Sequence, residues 1–63
     1  MFQDRYRYYR LDKAGHLHGA EWLDADSDRD AVAQIAGKYP EERCEIWAGR
    51  RLVAELSPAF AQA

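Results

Sequence analysis

The sequence predicts an α+β fold of order ββαββ: two β-hairpins forming one mainly antiparallel four-stranded sheet, with a single helix packed on one face. Three observations carry this prediction. Alternating apolar runs flank a turn signal at DKAG and another at GRR. Between these two ribbons lies one stretch with helical periodicity, a capping residue before it and a proline after it. At 63 residues there is room for one domain only.

The first ribbon is RYRYYRL-DKAG-HLHGAEWL. Asp12 suits the first position of a turn and Gly15 a left-handed one, which reads as a three-residue loop with a glycine bulge. With Asp12 and His16 flanking the loop, strict alternation sets Leu11 opposite Leu17, Tyr9 opposite Gly19 and Arg7 opposite Glu21. On the reverse face it sets Tyr8 against Ala20 and Tyr6 against Trp22.

In DADSDRDAVAQIAGKYP, Ser27 followed three residues later by Asp30 resembles a capping box, with Asp in place of Glu or Gln. Ala31, Val32, Ile35, Ala36 and Tyr39 then share a helical stripe. Asp28 and Asp30 near the start and Lys38 near the end complement the helix dipole. Gly37 marks fraying or a cap, and Pro40 blocks continuation. About three turns of helix are not stable in isolation, so this one must lie on the sheet.

The second ribbon is RCEIWA-GRR-LVAEL. A three-residue loop sets Cys44, Ile46 and Ala48 against Leu52, Ala54 and Leu56, with Trp47 and Val53 on the other face. A two-residue loop pairs Trp47 with Leu52 instead, and both readings stand at this point. A right-handed crossover through the helix is expected between the ribbons, giving strand order 2-1-3-4. Residues 1–56 are read as the domain and 57–63 as a flexible tail in which Phe60 alone is suited to docking.

YRLDKAGHLHGAEWL and CEIWAGRRLVAEL together resemble a group of short, uncharacterised bacterial proteins. Their shared skeleton is a Y-R-L-D-x-x-G-H hairpin, a G-A-E-W strand, an alanine-rich helix and an E-x-W-x-G hairpin. The resemblance spans roughly residues 6–56. It implies the ββαββ topology and a chain that folds by itself, and it assigns no activity and no site residue.

Composition narrows the function. With 48% hydrophobic and 13% aromatic residues the chain is built to fold, and its net charge of −2 does not suit a general polyanion binder. The N-terminus lacks the apolar core of a signal peptide and no run approaches a membrane span, so a cytoplasmic location and no membrane partner are expected. Cys44 is the only cysteine, which excludes an internal disulfide and a multi-cysteine zinc site. Its flanking alternation suits a small buried hydrophobe better than a reactive thiol.

The chemical motifs each have a plainer structural reading. His16 and His18 could share a metal, but a zinc site needs a third ligand that the sequence does not place. DADSDRD has alternate aspartates like a calcium loop, yet counting from Asp24 puts Arg29 and Ile35 where glycine and glutamate are required. Helix capping accounts for these acids. The four glycines are dispersed, with no phosphate-cradling loop, and Ser27 and Ser57 read as a cap and a pre-proline residue. No catalytic residue, cofactor or metal is therefore assigned, and the chain is read as non-enzymatic.

What remains is a shortage of cover. One helix shields one sheet face, while both faces carry large apolar side chains, and such a patch marks an interface. The expected function is an interaction module that self-associates as a homodimer through Tyr6, Tyr8, Tyr9, Trp22, Leu23 and Trp47, of which only one face's set can serve. Arg5, Arg7 and Arg10 form its rim. Two alternatives accompany it. The Arg/Tyr-rich hairpin could bind single-stranded nucleic acid by stacking and phosphate contact, or an edge strand could extend the sheet of a larger protein.

Overall fold

A computed structural model of the chain describes residues 5–58. Among these, the elements are β1 (Tyr6–Leu11), β2 (Leu17–Leu23), α1 (Asp28–Lys38), β3 (Arg43–Ala48) and β4 (Arg51–Leu56). The four strands form one antiparallel sheet in the order β2-β1-β3-β4. This is the predicted ββαββ architecture. The expected tail falls mostly outside the described residues, as does Phe60.

The first turn follows the sequence. The Asp12 carboxylate accepts from the amides of Ala14 (3.0 Å) and His16 (2.8 Å), and the Gly15 amide donates to the Asp12 carbonyl at 2.9 Å. Gly15 takes φ +88°, where a side chain would be strained. Leu11 pairs with Leu17 as expected.

One step further the register departs from strict alternation. Arg10 pairs with Gly19, so His18 is an extra residue on β2, a β-bulge. Every later pair moves by one: Tyr9 faces Ala20, Tyr8 faces Glu21, Arg7 faces Trp22 and Tyr6 faces Leu23. The expected pairs Tyr9–Gly19, Arg7–Glu21, Tyr8–Ala20 and Tyr6–Trp22 are thereby corrected. The bulge brings Gly19 beneath the Arg10 guanidinium, which fills the space a side chain would need; a Cβ on Gly19 would stand 2.6 Å from Arg10 Nη2.

The second hairpin combines both readings. Gly49 and Arg50 form a two-residue turn, with Gly49 at φ +63°, so Ala48 pairs with Arg51 and Trp47 with Leu52. Val53 then bulges, and beyond it Ile46 faces Ala54 and Cys44 faces Leu56, the partners of the three-residue reading. Val53, expected on the face of Trp47, instead packs partly buried against the core.

Ser27 caps α1 with extended backbone, its Oγ accepting from the Asp30 amide at 3.1 Å. The reciprocal bond goes one residue further back than in a standard capping box: Asp30 Oδ2 accepts from the Asp26 amide at 3.0 Å. The helix runs through Gly37, and the Tyr39 amide closes it onto the Ile35 carbonyl at 2.9 Å. Pro40 has no amide hydrogen with which to extend it.

The core lies between α1 and one sheet face. Tyr6, Tyr8, Ala31, Ile35, Cys44, Ile46 and Ala48 are buried, edged by Leu23, Val32, Tyr39 and Leu56. Ala36, placed on the helical stripe by periodicity, is exposed. Tyr8 is only 1% exposed, yet its polar tip is satisfied. Its hydroxyl donates to Glu21 Oε1 at 3.2 Å and meets the Tyr39 hydroxyl at 3.3 Å. Tyr6 reaches past the helix start and donates to Asp28 Oδ1 at 2.8 Å.

Candidate interaction surface

Side-chain alternation sends every second residue of each strand to the face opposite α1. No described element covers that face. Three rows run across it from β2 to β4, read from the pairing. The first is Trp22–Arg7–Trp47–Leu52, the second Ala20–Tyr9–Glu45–Glu55, and the third Leu17–Leu11–Arg43. Leu17, Trp22 and Leu52 are the large hydrophobics most open to solvent, at 57%, 52% and 44%. A shallow concavity of about 510 Å³ runs along the face, with Leu11 and Leu17 at one end, Gly49 and Arg50 at the other, and Tyr9 and Trp47 between.

The arginines of β1 are held against these rings. The Arg5 guanidinium carbon lies 4.4 Å from the centre of the Trp22 ring and that of Arg7 4.6 Å from it; Arg7 is also 5.7 Å from Tyr9. Both distances to Trp22 fall within cation–π range. Neither arginine has a described carboxylate within ion-pair distance. Glu45, a row away, accepts from Trp47 Nε1 at 3.2 Å. It also stands directly opposite Glu55, an unfavourable like-charge pair.

The residues expected at the interface divide between the two faces. Tyr9, Trp22 and Trp47 lie on the open face, with Arg5 and Arg7 beside them. Tyr6 and Tyr8 do not: they are buried under α1 in the single chain, and Leu23 is partly buried with them. Arg10 is also on the helix side, where it reaches Glu42 at 3.4 Å and lies 4.7 Å from the Tyr39 ring centre. The bulge at His18 is the reason Trp22 and Leu23 exchange faces. Leu17, Leu52, Glu45 and Glu55 also belong to the surface and were not assigned to the interface; plain alternation sets Leu17 with Leu11 and Glu45 with Trp47, whereas Leu52 and Glu55 share this face only through the Val53 bulge.

The other motifs are taken up structurally. His16 Nδ1 stands 3.6 Å from Asp12, and His18 Nε2 stands 3.2 Å from Glu42, so the two imidazoles turn to different carboxylates. No group of three or more metal-ligating side chains is gathered among the described residues. Within DADSDRD, Asp28 receives two bonds from Arg51, at 2.8 and 3.2 Å, and these with the Tyr6 hydroxyl hold its carboxyl below the usual range. Burial pushes the Cys44 thiol above its ordinary value, aided by Glu42 and opposed by Arg10. The Tyr39 hydrogen bond, burial and Glu21 all push Tyr8 upward.

Fold and surface together define a class: a helix-on-sheet α+β domain that seals one face of its sheet and presents the other as a plane of rings, leucines and guanidiniums. No protein-family model matches the chain, and neither a curated protein nor a solved structure matches it. No described helix is long and apolar enough to cross a membrane.

Proposed function

We propose that the chain is a non-enzymatic interaction module that self-associates as a homodimer through the open face of its sheet. The observation that carries this reading is the row Trp22–Arg7–Trp47–Leu52, with Leu11 and Leu17 nearby, on a face that none of the described residues covers. A chain of this size buries only about 60% of the surface its unfolded form exposes, so it gains much from a second layer.

Covering four large, roughly half-exposed apolar side chains on each of two protomers contributes about 6–12 kcal/mol. Association costs about 4–15 kcal/mol in lost freedom. These ranges overlap, so the dimer is concentration-dependent rather than permanent. The face carries arginines and glutamates in adjacent rows, and a surface that meets its own copy needs both signs.

Sedimentation across micromolar concentrations tests the reading. The wild-type chain shifts from monomer to dimer with concentration, and a Leu17→Ser/Trp22→Ser variant remains a folded monomer. A wild-type chain that stays monomeric throughout removes the proposal.

A second reading is favoured by one specific observation: Arg5 and Arg7 lie on Trp22 with no described carboxylate to neutralise them. Single-stranded nucleic acid, with phosphates on the guanidiniums and bases on exposed rings, would use that corner of the sheet. Two phosphate contacts imply a log–log salt slope of about −1.4. Titration of a labelled oligonucleotide into the wild type and Arg5→Ala/Arg7→Ala separates the readings; absence of binding at low salt ends this one.

A further inference from the structure

We infer that the two-fold axis of this homodimer runs parallel to the strands, between β1 and β3; the inference rests on the self-association proposed above. Identical sheets meeting face to face are related by a two-fold axis in the plane between them. Aligned packing leaves two choices, along the strands or across them. The three rows on the open face discriminate between these choices, because charge and apolar side chains are distributed unequally among them.

An axis across the strands lays each strand over its own copy with the rows reversed. Centred on the Tyr9 row, it sets Glu45 on the partner's Glu45 and Glu55 on the partner's Glu55. Centred on the Arg7 row, it sets Arg7 on the partner's Arg7. Midway between those rows, it presses Leu52 against the partner's Glu55. Between the Tyr9 and Leu11 rows, it leaves the whole Trp22–Arg7–Trp47–Leu52 row outside the overlap. Each placement opposes like charges, buries a carboxylate against leucine, or leaves the apolar row uncovered.

An axis along the strands keeps each row in place and exchanges the strands within it. Set over β1 it again opposes Arg7 to the partner's Arg7, and set over β3 it opposes Glu45 to the partner's Glu45. Between β1 and β3 every pairing changes. Arg7 faces the partner's Trp47, Trp22 faces the partner's Leu52, and Tyr9 can donate its hydroxyl to the partner's Glu45. Leu11 meets the stem of the partner's Arg43. Within the three rows no like charges are opposed. Arg7 already lies over Trp22 of its own chain, 4.6 Å from the ring centre, and the partner supplies a second indole. Glu45, set against Glu55 within its own sheet and already accepting from Trp47 Nε1, gains a second donor.

Ala20 and Glu55 test the axis because they share a row but sit on opposite edge strands, and neither is itself one of the large apolar side chains of the face. With the axis along the strands, Ala20 faces the partner's Glu55 across about 10 Å, whereas the two Ala20 positions stand about 17 Å apart. Facing sheets are too distant for a disulfide, which needs Cα atoms within about 7 Å, so a short bis-maleimide is the reagent. The native thiol does not interfere, because Cys44 is fully buried.

Ala20→Cys and Glu55→Cys chains, one carrying a mass tag, are mixed at a concentration where sedimentation shows dimer. The expected product is heterotypic, at least tenfold over cross-linking of either variant alone, with none in the wild type. A sedimenting dimer that yields homotypic Ala20→Cys products, or no cross-link, overturns the axis and leaves self-association standing. A monomer in sedimentation overturns both.

Discussion

Tyr8 and Trp22 are rings in neighbouring strands with opposite environments. Tyr8 is 1% exposed beneath α1, whereas Trp22 is 52% exposed on the far face. Tyr8→Ala therefore leaves a cavity and costs about 3–5 kcal/mol, enough to unfold a marginal domain. Trp22→Ala costs about 1 kcal/mol or less in the monomer, since it gives up only the exposed stacking of Arg5 and Arg7. Urea denaturation of the two variants checks the contrast. Equal losses would mean that Trp22 belongs to the core.

Three titrating groups set the pH dependence at this same scale. Cys44 and Tyr8 are both raised in the folded chain. The stability they contribute is complete below their unfolded values, about 8.5 and 10. It declines as pH rises from those values through the folded ones. Asp28 is lowered. Its contribution is complete above about 3.9 and is lost as pH falls through the depressed folded value. Denaturation midpoints should thus fall on the alkaline side above about pH 8.5, and Asp28→Asn should flatten the acid limb. Cys44 should resist a thiol reagent at neutral pH until the chain is unfolded; rapid labelling of the native protein would contradict its burial.

Among the elements, the helix was the most legible. Its cap, stripe and stop are local, and Ser27, Asp30, Ile35 and Pro40 act where the sequence places them. Ser27→Ala should cost about 0.5–2 kcal/mol, read as a lowered urea midpoint. The strands were legible in extent and order but not in register. A bulge is one residue that neither pairs nor alternates, and His18 and Val53 carry no sequence signal that marks them as such. The consequence is testable. His18→Ala removes only a partly exposed contact with Glu42 and should cost about 1 kcal/mol or less. Deleting His18 removes only the unpaired residue and leaves the pairs from Arg10–Gly19 to Tyr6–Leu23 in place, so Trp22 stays on the open face and Leu23 beside the core. The deletion should therefore cost about as little as the alanine substitution, as thermal melts of the two variants would show; a much larger loss would mean that His18 is not the extra residue.

At the scale of the whole molecule, the sheet has one sealed face, one open face and two bulged edges. His18 interrupts the ladder of edge strand β2 and Val53 that of edge strand β4. Bulges blunt an edge against further strands, so this geometry weighs against sheet extension into a larger protein and for contact through the face. Self-association should strengthen as apolar area is covered and respond only modestly to salt, because both charge signs are present on the surface. Nucleic-acid binding at the Arg5–Arg7 corner should weaken steeply with salt instead. Sedimentation and oligonucleotide titration from low to high salt separate the two.

By itself the sequence determined the elements, their order, the turn at Asp12–Gly15, the capped helix and the fact that one helix cannot cover two apolar faces. These follow from local periodicity, turn chemistry and arithmetic of surface, all of which act over a few residues. Only the tertiary structure decided which rings are covered. That choice depends on register, and register is fixed by two single-residue bulges whose cost is repaid by distant contacts: Arg10 over Gly19, Tyr8 with Glu21 and Tyr39, and Val53 against the core. A period of two carries no memory of where it slips, so the division of Tyr6, Tyr8 and Leu23 from Tyr9, Trp22 and Trp47 emerges only when the sheet and helix close on each other.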